Sequence, residues 1–165
     1  MWRTGLGILL TIFVLSSCKY KEEFKTHETK LFTVSVPDYF YKTRDLSEIA
    51  DLQLENKFRS IYLVVLQEYK EGNADLESYS YKSVKKLTNQ LENSVVARQE
   101  NQRINGMLSK RTTVTGTVND IDFQYNIAYI QGEHYFYEVA IWTPIAKMEK
   151  VGTDIENIIA SFNEL

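Results

Sequence analysis

Apolar and polar residues alternate along five stretches of the chain, the pattern of a strand with one buried face. The stretches cover residues 31–36, 51–56, 107–118, 121–130 and 134–142. Residues 60–67 are instead apolar at nearly every position, which predicts a central strand covered on both faces. We therefore expect a structure built mainly from β-strands.

Two further stretches repeat their apolar residues with the helical period of about 3.6. Asp75 is a good N-cap for the first helix, which should extend to about residue 93. Its inward-facing residues are Leu76, Val84, Leu87 and Leu91. Thr143 is the predicted N-cap of the second helix, with Pro144 at the first helical position. Its apolar stripe consists of Met148, Val151, Ile155, Ile158, Ile159 and Phe162.

Short turns connect the predicted strands. Asn105-Gly106 is the dipeptide preferred by a two-residue hairpin, because both turn positions need a positive φ. Asn119-Asp120 predicts another turn, and an extended segment begins at Val95. The order is strands, a helix, a meander of four strands and a closing helix. This order predicts the α+β class, with a mainly antiparallel β-sheet covered by helices in an α/β/α sandwich.

The N-terminal residues have the layout of a secretory signal, with a cationic start at Arg3, an apolar stretch and small residues before Cys18. Only 15 uncharged residues separate Arg3 from Lys19, whereas a membrane-spanning helix needs about 20. A buried helix would carry a polar stripe, and this stretch has none. We predict a signal peptide over residues 1–17.

The end of this signal, Leu15-Ser16-Ser17-Cys18, resembles the bacterial lipobox. The resemblance implies cleavage before Cys18 and a diacylglyceryl thioether on its sulfur, with further acylation by fatty acids such as palmitate. Two or three acyl chains would hold the protein on a bacterial membrane, for which we expect the outer membrane. The alternative for Cys18 is a free thiol.

Residues 18–30 then form the acylated cysteine and a predicted polar tether of mixed charge and no period. Lys21-Glu22-Glu23 is similar to the Lys-acid-acid signal that sends some lipoproteins to the bacterial cell surface. The alternative is a solvated linker that keeps the protein on the periplasmic face. Residues 31–165 form the predicted domain.

Several local phrases of this domain resemble the PsbP-like superfamily, which includes an extrinsic photosystem II subunit, a Ran-binding import factor and bacterial lipoproteins. The phrases cover residues 32–37, 61–66, 104–106, 141–143 and 158–162. Tyr39 stands where the family pattern often has tryptophan. The resemblance implies the superfamily fold and binding or accessory roles, without a shared catalytic centre.

Composition narrows the possible functions. The 165 residues include 19 Lys and Arg against 22 Asp and Glu, a formal charge of -3, so nucleic acid is not an expected partner. A single cysteine cannot form an intramolecular disulfide or a cysteine-rich zinc site. His27 and His134 have no metal-ligand spacing, and Asp120 with Asp122 lacks the pattern of a calcium loop.

No sequence pattern indicates catalysis, because the chain lacks a nucleophile elbow and a glycine-rich phosphate loop. We expect no catalytic residue, no metal and no cofactor. The candidate contact patch is the aromatic run Tyr39, Phe40 and Tyr41, expected in a loop. A second feature is the lysine set Lys82, Lys85 and Lys86 on one side of the first helix, which is either a solvated face or a contact for anionic groups.

These observations predict a lipid-anchored cell-envelope protein that binds another envelope protein through a sheet edge or loops. The alternative function is a small-ligand carrier with a tyrosine-lined pocket between sheet and helix. An enclosed apolar pocket would favour the carrier, and an exposed patch would favour docking.

Overall fold

The computed structural model describes residues 23–72 and 74–165. Its strands are β1 (Phe24–Glu28), β2 (Phe32–Pro37), β3 (Tyr41–Lys42), β4 (Leu52–Asn56), β5 (Ile61–Tyr69), β6 (Glu92–Val96), β7 (Glu100–Ile104), β8 (Met107–Val118), β9 (Ile121–Gln131), β10 (Tyr135–Pro144) and β11 (Asn163–Glu164). The helices are α1 (Leu76–Thr88), a short 3₁₀ helix (Ile145–Lys147) and α2 (Met148–Ala160).

An eight-stranded antiparallel sheet forms the middle layer. Its strands follow the order β3-β4-β5-β10-β9-β8-β6, and β7 also pairs with β8. A smaller sheet has the order β1-β2-β11. Helix α1 packs on one face of the large sheet, whereas α2 and β2 pack on the other. The predicted α+β class with a helix-covered antiparallel sheet is confirmed.

The larger core lies between the sheet and α2. The predicted apolar stripe of α2 is buried here, because Val151, Ile155, Ile158 and Ile159 face the sheet and Phe162 follows them into the core. Burial of each such side chain stabilises the fold by about 1.5–3 kcal/mol. A second core, under α1, contains buried residues of four strands and the helix: Val64, Leu76, Val114, Ile127, Tyr129, Phe136 and Ala140.

The Asn105-Gly106 hairpin is confirmed. Asn105 and Gly106 have φ values of +47° and +86°, and the flanking residues Ile104 and Met107 pair across the ladder. The Asn105 side chain also donates hydrogen bonds to the carbonyls of Ala160 and Phe162, at 3.2 and 2.7 Å. The turn is therefore fastened to the end of α2.

The N-terminal boundary of the domain differs from the prediction. Residues 24–28 were assigned to the tether over residues 18–30, but they form β1 and pair with β2 from Phe24 opposite Pro37 to Glu28 opposite Thr33. Only His27 of this strand is buried, so its side chains show no alternation. The backbone hydrogen bonds to β2 therefore define a strand that side-chain periodicity cannot reveal.

Two helix boundaries also differ. Helix α1 ends at Thr88, with Asn89 as its C-cap, and the chain enters β6 at Glu92 rather than continuing as helix to residue 93. Thr143 is not an N-cap, because β10 continues through Pro144, which pairs with Phe123 of β9. Tertiary strand pairing overrides the local Thr-Pro signal here.

Candidate binding groove

A groove of about 370 Å³ runs between α1 and the sheet. We call it the α1 groove. Strand β10 and strand β5 form its floor, α1 forms one wall, and the loop that precedes β4 forms the other. The groove is lined by Ile49, Leu66, Gln67, Glu68, Tyr79, Lys82, Ser83, Lys86, Leu87, Gln90 and Glu138.

Glu138 is the central acidic group of the floor. It lies half-buried in β10, between Phe136 and Ala140 on the same face of the sheet. The Ser83 hydroxyl of α1 donates a hydrogen bond to Glu138 Oε2. Burial raises the pKa of the Glu138 carboxyl, and the negative charge of Glu68 adds to this, although the Ser83 hydrogen bond and the charge of Lys86 oppose it.

Tyr79 forms the aromatic part of the wall. The Tyr79 ring stacks on Phe136, with ring centroids 4.9 Å apart, and meets the edge of Tyr129 at 5.9 Å. The Tyr129 side chain is fully buried, and its Oη has no hydrogen-bond partner among residues 23–72 and 74–165. Burial, with the charge of Glu138, raises the pKa of both tyrosine hydroxyls. Both hydroxyls therefore stay protonated at neutral pH, but Tyr79 lines the groove and Tyr129 does not.

Lysines occupy the rim of the α1 groove. Lys82 and Lys86 are exposed and one helical turn apart, and both line the groove. The third lysine of the predicted set, Lys85, does not line it. A cationic rim thus stands above an acidic floor, which suits a polar ligand or partner with groups of both signs.

A wider depression of about 850 Å³ lies on the other side of the same loop, lined by residues of segment 42–55. Gln53 shapes this loop. Its Oε1 accepts hydrogen bonds from the backbone of Leu46 and Ser47, at 3.0 Å each, and its Nε2 donates to Ser47 O at 2.6 Å. The lining is mostly charged and polar, so this depression is a solvated surface rather than an apolar pocket.

The predicted contact patch is divided between core and surface. Phe40 is buried, at 7% exposure, and belongs to the larger core. Tyr39 is half-buried, donates a hydrogen bond to Asp154 Oδ2 at 2.8 Å and lies under the Arg59 guanidinium. Only Tyr41 is exposed, at 43%. The expectation of one exposed aromatic run is therefore wrong for Phe40, because the turn after β2, closed by the hydrogen bond from Phe40 N to Pro37 O at 3.1 Å, places its ring in the core.

The remaining candidate residues lie apart from the α1 groove. His134 is exposed in the β9–β10 turn, and Asp122 accepts a hydrogen bond from Thr117 at 2.7 Å. Within the described part of the chain, no three His, Cys, Asp or Glu residues cluster as metal ligands. Cys18, Lys21 and Glu22 lie outside the described residues. No helix within residues 23–72 and 74–165 is long and apolar enough to span a membrane.

Neither a protein-family model nor a curated protein sequence matches this chain. Solved structures do match it. The PsbP of the cyanobacterium Synechocystis sp. PCC 6803 superimposes with a TM-score of 0.68 at 12% identity, covering 92% of this chain and 99% of that one. The chain has the PsbP-like fold.

Two other proteins with similar structures come from distant organisms. LpqN, involved in cell envelope biogenesis of Mycobacterium tuberculosis, has a TM-score of 0.66 at 11% identity, covering 87% of this chain and 90% of that one. The Saccharomyces cerevisiae Ran-binding protein Mog1p has a TM-score of 0.60 at 16% identity, covering 87% of this chain and 96% of that one. The PsbP-like fold is thus found in proteins of different function. The fold alone does not identify what the α1 groove binds, which depends on the residues that line it.

Glu138 and Ser83 line the groove but were not among the residues predicted from the sequence. A signal was present for Glu138, because it is a charged residue between Tyr137 and Val139 in a strand that is otherwise apolar on both faces. No sequence signal marked Ser83, because a serine on a helix indicates a site only when the sheet residue that it contacts is known.

Proposed function

We propose that this protein is a lipid-anchored, non-catalytic binding module of a bacterial cell envelope, and that the α1 groove is its binding site. The observation that carries the proposal is Glu138, a carboxylate placed in a central strand where it opens into the groove. Such a group is costly to desolvate, so its presence there is best explained by a ligand or partner that uses its charge.

The chemistry of the groove supports binding. The hydroxyl of Tyr79, the tyrosine that lines the groove, has a raised pKa and acts as a donor rather than as a base. The Ser83 hydroxyl is hydrogen-bonded to Glu138, and neither His27 nor His134 lines the groove. These groups can recognise a polar partner without transferring a proton to or from it.

A protein partner is the first candidate, because the α1 groove is open along the helix and exposed Ile49 stands at its rim. An apolar anchor beside charged groups is the arrangement that gives both affinity and specificity to a docking site. The fold supports this indirectly, since Mog1p, with the same fold, is a Ran-binding protein.

Site-specific photo-crosslinking in the native envelope tests this proposal. A photoreactive amino acid is placed at Lys86, inside the groove, and at Lys85, on the same helix but outside it. We expect an envelope protein to be captured from position 86 and not from position 85, and the Glu138→Gln change to abolish capture. Equal capture from both positions would contradict docking at the groove.

A small-ligand carrier is the second candidate, favoured by the size of the groove. Its volume of about 370 Å³ is within the range of small-molecule sites, and Tyr79 offers an aromatic wall. Native mass spectrometry of protein extracted from membranes separates the two candidates. A bound small molecule that is lost in Glu138→Gln would favour the carrier, and the apoprotein mass alone would favour docking.

Anchoring through Cys18 is the second part of the proposal, on the outer membrane with the domain on its periplasmic or surface face. Its support is the lipobox resemblance of residues 15–18 and the polar character of the residues that follow. Cells grown with radioactive palmitate should label the wild-type protein and leave Cys18→Ala unlabelled. Equal labelling of both would exclude Cys18 as the acylated residue.

A further inference from the structure

The place where the tether joins the domain limits which surface can face the membrane. The backbone carbonyl of Glu23, one residue before β1, accepts a hydrogen bond from Asp38 N at 2.9 Å. Cys18 precedes Glu23 by five residues, which span at most about 18 Å when fully extended. If Cys18 carries the proposed lipid anchor, the surface around Asp38 must lie close to the headgroups.

The turn between β4 and β5, residues 57–60, lies beside this point, and we call it the hairpin tip. Asn56, which precedes it, donates a hydrogen bond from Nδ2 to Tyr39 O at 2.8 Å. The Arg59 guanidinium lies 4.0 Å from the centroid of the Tyr39 ring. Since Tyr39 follows Asp38 directly, the tether and the hairpin tip leave the domain at the same end.

The hairpin tip combines an exposed aromatic ring with positive charge. Phe58 is 95% exposed, between Lys57 and Arg59. Lys147, at the end of the 3₁₀ helix that precedes α2, donates hydrogen bonds to Ser60 Oγ at 2.7 Å and to Phe58 O at 3.4 Å. A depression of about 320 Å³ at the tip is lined by Phe58, Arg59, Lys147, Lys150 and Val151.

We propose that the hairpin tip is a second membrane contact, in which Phe58 enters the interfacial region and Arg59, Lys147 and Lys150 face the phosphates of anionic lipid headgroups. A phenylalanine left this exposed is unfavourable in water, and its transfer to the membrane interface removes apolar surface from water. Cations near the headgroups are attracted by an anionic surface. The short tether strengthens both effects by holding the tip at a high local concentration of lipid.

Acidic residues at the same end determine which side approaches the membrane. Asp120 lies in the β8–β9 turn and Asp122 at the start of β9. This turn is separated from β5 by β10 and lies about 10–15 Å away at the usual strand spacing. Glu149, in the first turn of α2, is exposed, and so are Glu23 and Asp38 at the tether, whose negative charge the cations of the hairpin tip have to outweigh. We therefore expect the β4–β5 side of the domain to face the membrane and the acidic β8–β9 turn to lie farther from it.

This orientation keeps the α1 groove away from the membrane. Strand β5 runs from Ile61, next to the hairpin tip, to Tyr69 at the opposite end, about 27 Å at the rise of a strand. The groove residues Leu66 and Glu68 lie in the distal half of this strand. A lipid-anchored domain held in this way would present its groove to partners.

Tryptophan quenching by brominated lipids tests the inference on the full, acylated protein in vesicles. The Phe58→Trp variant reports on the hairpin tip and Tyr69→Trp on the opposite end of the same strand, and Trp142 contributes the same background to both. In vesicles of phosphatidylglycerol and phosphatidylcholine, we expect quenching of Phe58→Trp to exceed that of Tyr69→Trp about threefold or more.

Charge variants complete the test. Lys150→Glu should reduce the quenching at position 58 by about half or more, whereas Lys85→Glu on α1 should leave it unchanged. Pure phosphatidylcholine vesicles should reduce quenching at position 58 in the same way. Palmitate labelling of the same samples keeps the two proposals apart. Unlabelled protein contradicts the anchor, whereas labelled protein with equal quenching at positions 58 and 69 overturns the membrane contact of the tip.

Discussion

Glu138 illustrates how one residue links the stability of the domain to its proposed function. In β10 its neighbours Phe136 and Ala140 on the same face are packed in the core under α1, so an apolar residue would suit position 138 better than a carboxylate. Binding sites often contain a charged side chain of this kind, which lowers the stability of the fold but contributes to binding.

Replacing Glu138 by Gln should therefore stabilise the protein at neutral pH. Burial raises the pKa of Glu138 above the unfolded value of 4.5, so the stability contributed by its protonated form is fully present below pH 4.5 and is lost as pH rises through the folded pKa. We expect Glu138→Gln to gain up to about 1 kcal/mol at pH 7, a modest amount because water reaches the groove.

Urea denaturation at pH 7 and pH 4 measures this difference, with Glu149→Gln, at an exposed position of α2, as the control. The gain should appear at pH 7 only and be absent from the control. A loss of stability at pH 7 would show that the Glu138 charge supports the fold and would remove the main argument for the groove.

His27 is the second residue whose surroundings oppose its charge. It is buried in β1, and its Nε2 has no hydrogen-bond partner among the residues that the structure describes. Burial lowers the pKa of His27 below 6.5, and the positive charges of Lys42 and Lys25 lower it further. The folded protein therefore favours neutral His27.

Acidification should weaken the domain through His27. Its contribution to stability is present above pH 6.5 and is lost as pH falls towards the lower folded pKa, because the unfolded chain then binds the proton more readily. His27→Leu should remove this part of the pH dependence, and His134→Gln, at an exposed turn, should retain it. Denaturant midpoints between pH 7.5 and pH 5 compare the three proteins, and parallel pH profiles for wild type and His27→Leu would refute the assignment.

Among the secondary-structure elements, β11 connects the C-terminus to the rest of the fold. It pairs with β2, and its Glu164 carboxylate accepts hydrogen bonds from Glu133 N at 2.7 Å and from Tyr137 Oη at 2.9 Å. The carboxylate lies against Gly132, where an added Cβ would overlap it. The β9–β10 turn and β11 therefore depend on each other.

A pair of glycine substitutions tests this connection. Gly132→Ala should cost about 1–3 kcal/mol, because Glu164 must move and release its two partners. Gly152→Ala, within α2 where a Cβ meets nothing within 4 Å, should instead stabilise the protein by about 0.5–1 kcal/mol. Thermal unfolding of both variants gives the comparison. Equal effects of the two changes would show that the Glu164 contacts contribute little.

At the scale of the whole molecule, the fold separates two surfaces along the β5 axis. The hairpin tip and the start of β1 lie at one end, and the distal half of β5 carries the α1 groove. β11 pairs with Phe32 and Thr33 at the start of β2, whereas the chain enters β1 opposite Pro37 at its end. The tether and the C-terminus therefore leave at opposite ends of β2.

This arrangement predicts different access to the two surfaces once the protein is on a membrane. Mature wild-type protein has no other cysteine than Cys18, so Lys86→Cys and Lys150→Cys introduce single reactive thiols. A water-soluble maleimide should label Lys86→Cys equally fast in detergent and in anionic vesicles, but label Lys150→Cys several-fold more slowly in vesicles. Slower labelling at both positions would indicate that the domain lies with its groove against the bilayer.

The sequence predictions succeeded where a structure depends on neighbouring residues and failed where it depends on residues distant in the sequence. The β7–β8 hairpin and the apolar stripe of α2 were predicted correctly, because a two-residue turn needs positive φ and a helix face needs the helical period. The secondary-structure predictions that differed from the structure concerned β1, the end of α1 and the role of Thr143. Each depends on a strand partner distant in sequence, and such pairing uses backbone groups that every residue carries.

The sequence by itself determined the fold class, the β7–β8 turn and the buried stripe of α2, because periodicity and turn chemistry are local properties. Lipid attachment at Cys18 stays a prediction that rests on the lipobox resemblance. Only the tertiary structure decided that Ser83 meets Glu138, that Phe40 is core and that Phe58 stands beside the tether. Periodicity shows which side of a helix or strand is buried, but not which residues of other elements contact that side. Both proposed binding surfaces consist of residues from different elements that come together only in the folded protein.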